Sequence, residues 1–256
     1  MGLANGLLSL SEEQMTSAGS AIIIERELRF YVPFEKLVSH VTLEALPTQL
    51  VEQHFFSKPA QSLLAVLVQH STQNLTVPSG TRITQARIRR ITSGETVACS
   101  LQLKGRLPSL AQEERIEFGV PIENELFHSL RDCADAGTVT KRRYFERGHV
   151  FAPDGNELAV RAEIDVALGS DGEPVRDLAG RQFVTVDVEL DTAEHLMHLR
   201  AGRHTFGYLQ HAVELTRIDK PLRKALSVQR LARKGLDKRA TKVLDQLEEH
   251  LRSQSR

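Results

Sequence analysis

Along much of the chain, polar and apolar residues alternate one for one, the period of a β-strand with chemically distinct faces. From Leu158 to Val166, the residues Leu158, Val160, Ala162, Ile164 and Val166 fall on one side and Arg161, Glu163 and Asp165 on the other. Val184, Val186, Val188 and Leu190 likewise oppose Asp187 and Glu189. This patterning predicts strands over 21–32, 48–56, 82–92, 95–106, 113–120, 138–151, 157–168 and 181–190. Turn chemistry stands at Ser93-Gly94, Pro153-Asp154-Gly155 and Ser170-Asp171-Gly172. Eight strands mostly in hairpin order predict an α+β, mainly β protein built on an antiparallel sheet or closed barrel.

Helical spacing is confined to the intervals: 34–43, 121–134 before Gly137, and 192–200 before Gly202. Residues 57–81 form a poorly patterned insertion with a helix expected over 60–69. Residues 1–20 read as an N-terminal tail, where Ser11 and Gln14 fit a capping box. Beyond the domain at 21–226, Leu231, Leu236, Val243, Leu244, Leu247 and Leu251 recur at near-helical spacing and predict a C-terminal helix within 227–256.

Composition narrows the function classes. Lys plus Arg total 33 and Asp plus Glu total 33 in 256 residues, so no broadly basic surface offers itself to nucleic acid or an anionic membrane. No apolar run approaches the roughly 18 residues of a membrane span, and no secretory leader pattern is visible. Two cysteines, Cys99 and Cys133, give neither a disulfide framework nor a zinc spacing, and a cytoplasmic location is expected. Cys99 falls on an apolar strand face and reads as buried and inert. Tryptophan is absent, which argues against a stacking platform for single strands. The histidines, His195 and His198 included, lack zinc-protease spacing, and no glycine-rich phosphate loop occurs. The stretch from Arg217 onward holds 12 basic against 5 acidic residues. It reads either as an amphipathic helix packed on the domain with a solvated basic face, or as an appendage that binds a partner.

The charged faces of the strands carry the candidate chemistry. Glu25, Glu27 and Arg29 share a face, as do Arg87 and Arg89, Gln102 and Lys104, Glu113, Arg115 and Glu117, and Lys141 and Arg143. One reading is a sheet with one wet face. The other is a barrel with a charged lumen and helices packed outside. A lumen of that kind requires its charges to be paired or to hold an ionic ligand. Clustered guanidinium and ammonium groups suit phosphate, and clustered carboxylates suit a hard divalent cation.

In order along the chain, these motifs resemble the CYTH domains, the triphosphate tunnel metalloenzymes. Glu25-Arg26-Glu27-Leu28-Arg29 resembles the family's opening Glu-x-Glu-x-Lys signature, with arginine in place of the lysine. Arg87-Ile88-Arg89, Leu101 to Lys104, Arg115-Ile116-Glu117 and Lys141 to Tyr144 are similar to its basic strands. Glu163-Ile164-Asp165 and Asp187-Val188-Glu189 are similar to its late acidic strands, and Glu214 to Leu222 to the end of its domain. The resemblance spans about residues 22–226. It implies an eight-stranded antiparallel tunnel and an enzyme: a metal-dependent triphosphatase using magnesium or manganese. Inorganic tripolyphosphate or a small organic triphosphate is the expected substrate. Cyclisation of ATP, hydrolysis of an RNA 5′-triphosphate and a non-enzymatic polyphosphate-binding module are the alternatives.

The resemblance implies a catalytic set of Glu25, Glu27 and Arg29. It implies phosphate contacts from Arg29, Arg87, Arg89, Lys104, Arg143 and Lys220, and metal ligation by Glu25, Glu27, Asp165, Asp187 and Glu189. Arg115, Glu117, Lys141, Arg161 and Glu163 are expected to support these from the same face. No membrane partner and no nucleic acid beyond a 5′-triphosphate RNA is expected; a homodimer and a partner for the basic C-terminal helix are left open.

Overall fold

In the computed structural model, the described residues are 21–58, 60, 61, 64, 80–111, 114–226 and 236–254. The expected capping box at Ser11 and Gln14, most of the 57–81 insertion, and Leu231 lie outside them. Strands form at Ala21–Tyr31 (β1), Thr48–Phe55 (β2), Arg82–Ser93 (β3), Thr96–Arg106 (β4), Glu114–Pro121 (β5), Thr138–Phe151 (β6), Glu157–Leu168 (β7) and Val184–Glu189 (β8). The two-residue strand Val213–Glu214 (β9) was not legible in the sequence. The hydrogen-bonded order is β5-β4-β3-β2-β6-β7-β8-β1, and a further pairing of β5 with β1 closes eight strands into an antiparallel ring, with β9 added on β1. The ring satisfies the edge groups an open sheet would leave bare.

Helices occupy the intervals: Phe34–Val38 (α1), Asn124–Asp132 (α2), Ala193–Arg200 (α3), Lys220–Ala225 (α4) and Lys238–Gln254 (α5). Three expectations are corrected in extent. The helix expected over 121–134 runs from Asn124 to Asp132, because Pro121 still pairs as the last residue of β5 and Cys133 caps the helix. The helix expected over 34–43 stops at Val38, because Ser39 Oγ donates to the Lys36 carbonyl at 2.8 Å and β-branched Val41 and Thr42 follow. The strand expected from 181 begins at Val184, because the preceding residues make a second turn: Asp177 accepts the backbone N–H groups of Ala179 and Arg181, and Gly180 takes a left-handed φ of +82°. In the insertion, Lys58, Ala60, Gln61 and Leu64 have helical backbone.

The chain divides into two compact units. One comprises the described residues of 21–25, 53–90 and 97–136. Its apolar strand positions Ala86, Ile88, Leu101, Leu103, Ile116 and Phe118 form a cluster completed by Phe127 of α2. Cys99 lies buried in that cluster, as its parity required, while Cys133 is exposed. The other unit comprises the described residues of 26–52, 91–96 and 137–256. There Leu28, Ala162, Ile164, Val186 and Val188 pack with Leu37 of α1, Leu199 of α3 and the 3-10 turn residues Tyr208 and Leu209.

A further cluster of that second unit joins Tyr31, Phe183, Val213 and Leu215 to Ala240, Val243, Leu244 and Leu247 of α5. The C-terminal helix is therefore packed on the domain. Arg181 fastens it, reaching Asp245 at 2.8 Å and Glu248 at 3.1 Å. Among the described residues, no helix is long and apolar enough to cross a membrane.

Candidate functional site

In both units the apolar strand face is the one covered by helices, so the charged face is the opposite one. It is not a wet face. Lys104, Lys141, Arg143, Glu27, Glu163, Asp165 and Asp187 are all buried, Asp187 to 1% exposure. Placing so many ions out of water is costly unless each finds a partner, and the register of the strands determines which partners meet.

In the second unit, β1, β6, β7 and β8 carry the larger set. Glu27 stands opposite Glu189, Arg29 opposite Asp187, Glu163 opposite Asp187, and Arg143 opposite Asp165. Arg29 grips Asp187 with two donors, Nε at 2.6 Å and Nη2 at 2.5 Å, and its Nη2 lies 3.5 Å from Glu27. Arg143 makes the same forked grip on Asp165, at 2.8 and 2.9 Å, and a further ion pair with Glu163. Lys141 donates to Asp165 as well. Arg161 bridges Glu163 at 3.0 Å and Glu189 at 2.5 Å, its guanidinium carbon 5.1 Å from the ring centre of Phe145.

Charge and burial pull these groups apart in pKa. Burial, followed by the Arg143 cation, pushes the Lys141 ammonium down to about 8, against the pull of Asp165. Asp165 is also disfavoured as an anion by burial, but Arg143 and Lys141 outweigh that and hold it well below the usual carboxylate range. Asp187 goes the other way. Burial raises it, Arg29 opposes, and the neighbouring Glu27 and Asp165 charges add to the rise.

A cavity of about 100 Å³ opens beside this cluster. Arg29, Lys141, Asp165 and Thr185 form part of its wall, and Val175 and Phe183 are among its apolar lining.

In the first unit, Lys104 of β4 sits opposite Glu117 of β5. Its ammonium is 2.7 Å from Glu25 and 2.8 Å from Glu117. Arg115 approaches Glu25 at 3.9 Å. Arg87 donates through Nε to Gln102 at 2.8 Å and through Nη2 to Glu117 at 3.5 Å. Burial works against the Glu117 anion, yet Lys104 and Arg87 bring its pKa down to about 2, with Arg89 helping.

Within each unit the structure brings the sequence-expected residues together. Arg89 lies half-buried on β3 on the same face as Arg87. Lys220 opens α4, and its side chain is outside the described set. Glu113 is outside it as well. Two uncharged residues also stand on the charged face by parity, and charge patterning alone gives them no role. Phe145 is opposite Glu163, and Gln102 is buried against Arg87.

Among the described residues, no group of three His, Cys, Asp or Glu side chains stands in ligating geometry, because each carboxylate is turned to a cation. The donor set nevertheless suits a hard divalent ion. Glu27, Asp165 and Asp187 offer only oxygen, all three are buried, and their mutual repulsion contributes to the raised pKa of Asp187.

No family model and no curated protein matches the chain. Among solved structures, it is similar to that of the inorganic triphosphatase NE1496, at 17% identity over 68% of this chain and 80% of that one, with a TM-score of 0.32. A structure of the hypothetical protein NE1496 is 17% identical over 83% of this chain and 98% of its own, with a TM-score of 0.36. The PH1819 protein from Pyrococcus horikoshii OT3 is 18% identical over 69% and 83%, with a TM-score of 0.38.

Proposed function

We propose that this chain is a hydrolase of triphosphates, acting on inorganic tripolyphosphate or a small organic triphosphate with magnesium or manganese as cofactor. One observation carries the reading: cations and carboxylates are buried together on the strand faces opposite the helix-covered ones. Ionic clusters of this density are a poor way to stabilise a fold. They suit the recognition of a buried polyanion together with its counter-cation. The order of the Glu-x-Glu-x-Arg, Arg-x-Arg, Lys-x-Arg and acidic strand motifs supports the same reading.

In this reading Arg29, Arg87, Arg89, Lys104 and Arg143, with Lys220 as a further candidate, bind the phosphate oxygens. They spread the charge that develops as the anhydride bond breaks. Arg29 and Arg143 each hold a carboxylate through two parallel donors, a fork that matches phosphate geometry equally well, so a phosphate would bind them by displacing Asp187 or Asp165. Glu27, Asp165 and Asp187, together with Glu25 and Glu189, would hold the divalent ion. Once bound, such an ion neutralises phosphate charge and acidifies water, so the chain needs no Ser, Cys or His nucleophile. Arg115, Glu117, Lys141, Arg161 and Glu163 keep the others aimed.

Purified protein should release phosphate from at least one of tripolyphosphate, thiamine triphosphate, ATP or triphosphorylated RNA when magnesium or manganese is supplied. Absence of release from all four overturns the proposal. Glu25→Gln and Glu27→Gln should each reduce turnover at least a hundredfold while tripolyphosphate binding, measured by calorimetry, persists. Unchanged turnover in both variants would remove these two residues from the metal set.

A further inference from the structure

Gln102 stands among ionic side chains and carries no charge itself. It is 4% exposed and shares a face of β4 with Lys104. Its register partner on β5 is Gly119, which places no side chain in its path. Its amide oxygen accepts the Nε–H of Arg87 at 2.8 Å.

Arg87 is held differently from five other cations on these faces. Arg29, Lys104, Lys141, Arg143 and Arg161 are each gripped closely by carboxylates. Arg87 meets a carboxylate, that of Glu117, at 3.5 Å, and Glu117 is itself held at 2.8 Å by Lys104. The close contact of Arg87 is the neutral amide. A carboxylate at position 102 would fix the guanidinium plane equally well. It would also cancel the charge and compete with any incoming anion. An amide fixes the plane and leaves the charge in place, so less side-chain freedom is lost when an anion arrives.

We infer that Gln102 is a positioning residue, a neutral tether that aims Arg87 at a phosphate group of the substrate while preserving its positive charge. The inference rests on the triphosphatase reading above. It is tested with tripolyphosphate and magnesium on Gln102→Glu and Gln102→Leu, measuring kcat, KM and their salt dependence beside thermal melting. Gln102→Glu keeps the acceptor and the shape but neutralises Arg87, so KM should rise about tenfold or more, kcat should move less, and the salt dependence of KM should flatten. Gln102→Leu leaves the charge but frees the side chain, so its KM should rise less, about threefold to fivefold.

A merely structural hydrogen bond predicts the reverse order, with Gln102→Glu close to wild type; that order overturns the inference. Should Gln102→Glu fail to fold, the double-mutant cycle of Gln102→Leu with Arg87→Leu decides. The effect of Gln102→Leu on KM should vanish once Arg87 is gone, and fully additive effects overturn the inference. A wild-type protein that neither turns over nor binds any triphosphate refutes the functional reading and this inference together. Reversed order or additivity with wild-type turnover intact refutes the inference alone.

Discussion

Glu117 shows how one side chain on these faces converts burial into charge dependence. Its carboxyl is pulled down to about 2 in the fold by Lys104 and Arg87 despite burial. A depressed carboxylate contributes stability that is complete above its unfolded pKa and disappears as pH falls through its folded one. The contribution is therefore present above about pH 4.5 and lost toward pH 2. Glu117→Gln should destabilise the protein by roughly 3 kcal/mol at pH 7, and the difference from wild type should shrink steadily below pH 4. Denaturant unfolding at pH 7 and pH 3 measures it; an equal difference at both would mean that shape rather than charge is what Glu117 supplies.

Strand parity alone was enough to place Glu25, Arg29, Lys104, Asp165 and Asp187 on charged faces. It could not reveal that Arg29 would meet Asp187 or that Arg143 would meet Asp165, because pairing depends on a register set by contacts far apart in sequence. Gln102 and Phe145 carry no charge, so strand parity alone gives them no role; their roles come from what lies beside them.

The strands were the most legible elements because a two-residue period repeated over eight or more positions is hard to mistake, as in β7, whose bounds match the expectation; those of β6 match as well, although its alternation is less clean. Elements held by tertiary contacts were not legible. β9 exists because Phe30 and Tyr31 pair with Glu214 and Val213, and the 3-10 turn at Gly207–His211 is packed through Tyr208 and Leu209. The helices matter as covers for the apolar strand faces, and that role is measurable. Phe127 of α2 is fully buried against Ile88, Leu103 and Phe118. Phe127→Ala should cost about 3–5 kcal/mol in denaturant unfolding through lost burial and the cavity left behind. A cost below 1 kcal/mol would mean that α2 is not an essential cover. On α5, the ion pairs from Arg181 to Asp245 and Glu248 accompany apolar packing by Leu244 and Leu247. Leu244→Ala should destabilise the protein by about 2–5 kcal/mol in denaturant unfolding, and a cost below 1 kcal/mol would mean that α5 is not held by its apolar face.

At the scale of the molecule, a net charge of zero conceals a segregation by strand face: apolar residues under the helices, ions of both signs opposite them. Such an arrangement is stable without ligand because acids and bases neutralise each other, yet every buried ion still bears part of its desolvation cost. A polyanion that arrives with a divalent cation offers both signs a new partner at once, so it should bind the folded chain and not the unfolded one. Mass action then sets the size of the effect. At a ligand concentration about a hundredfold above Kd the gain is about 2.7 kcal/mol, which for a chain of this length is roughly 5–10 °C in Tm.

Tripolyphosphate with magnesium should therefore raise the melting temperature of the Glu25→Gln protein, which under the proposed function binds without turning over, by that amount, and addition of a chelator should remove part of the rise. Arg143→Met, which strips a buried fork from Asp165 and Glu163, should lower the starting stability and also shrink the ligand-induced shift. A full-sized shift in Arg143→Met would place phosphate recognition elsewhere on the strands. No shift in the Glu25→Gln protein would mean that the buried charges serve only one another.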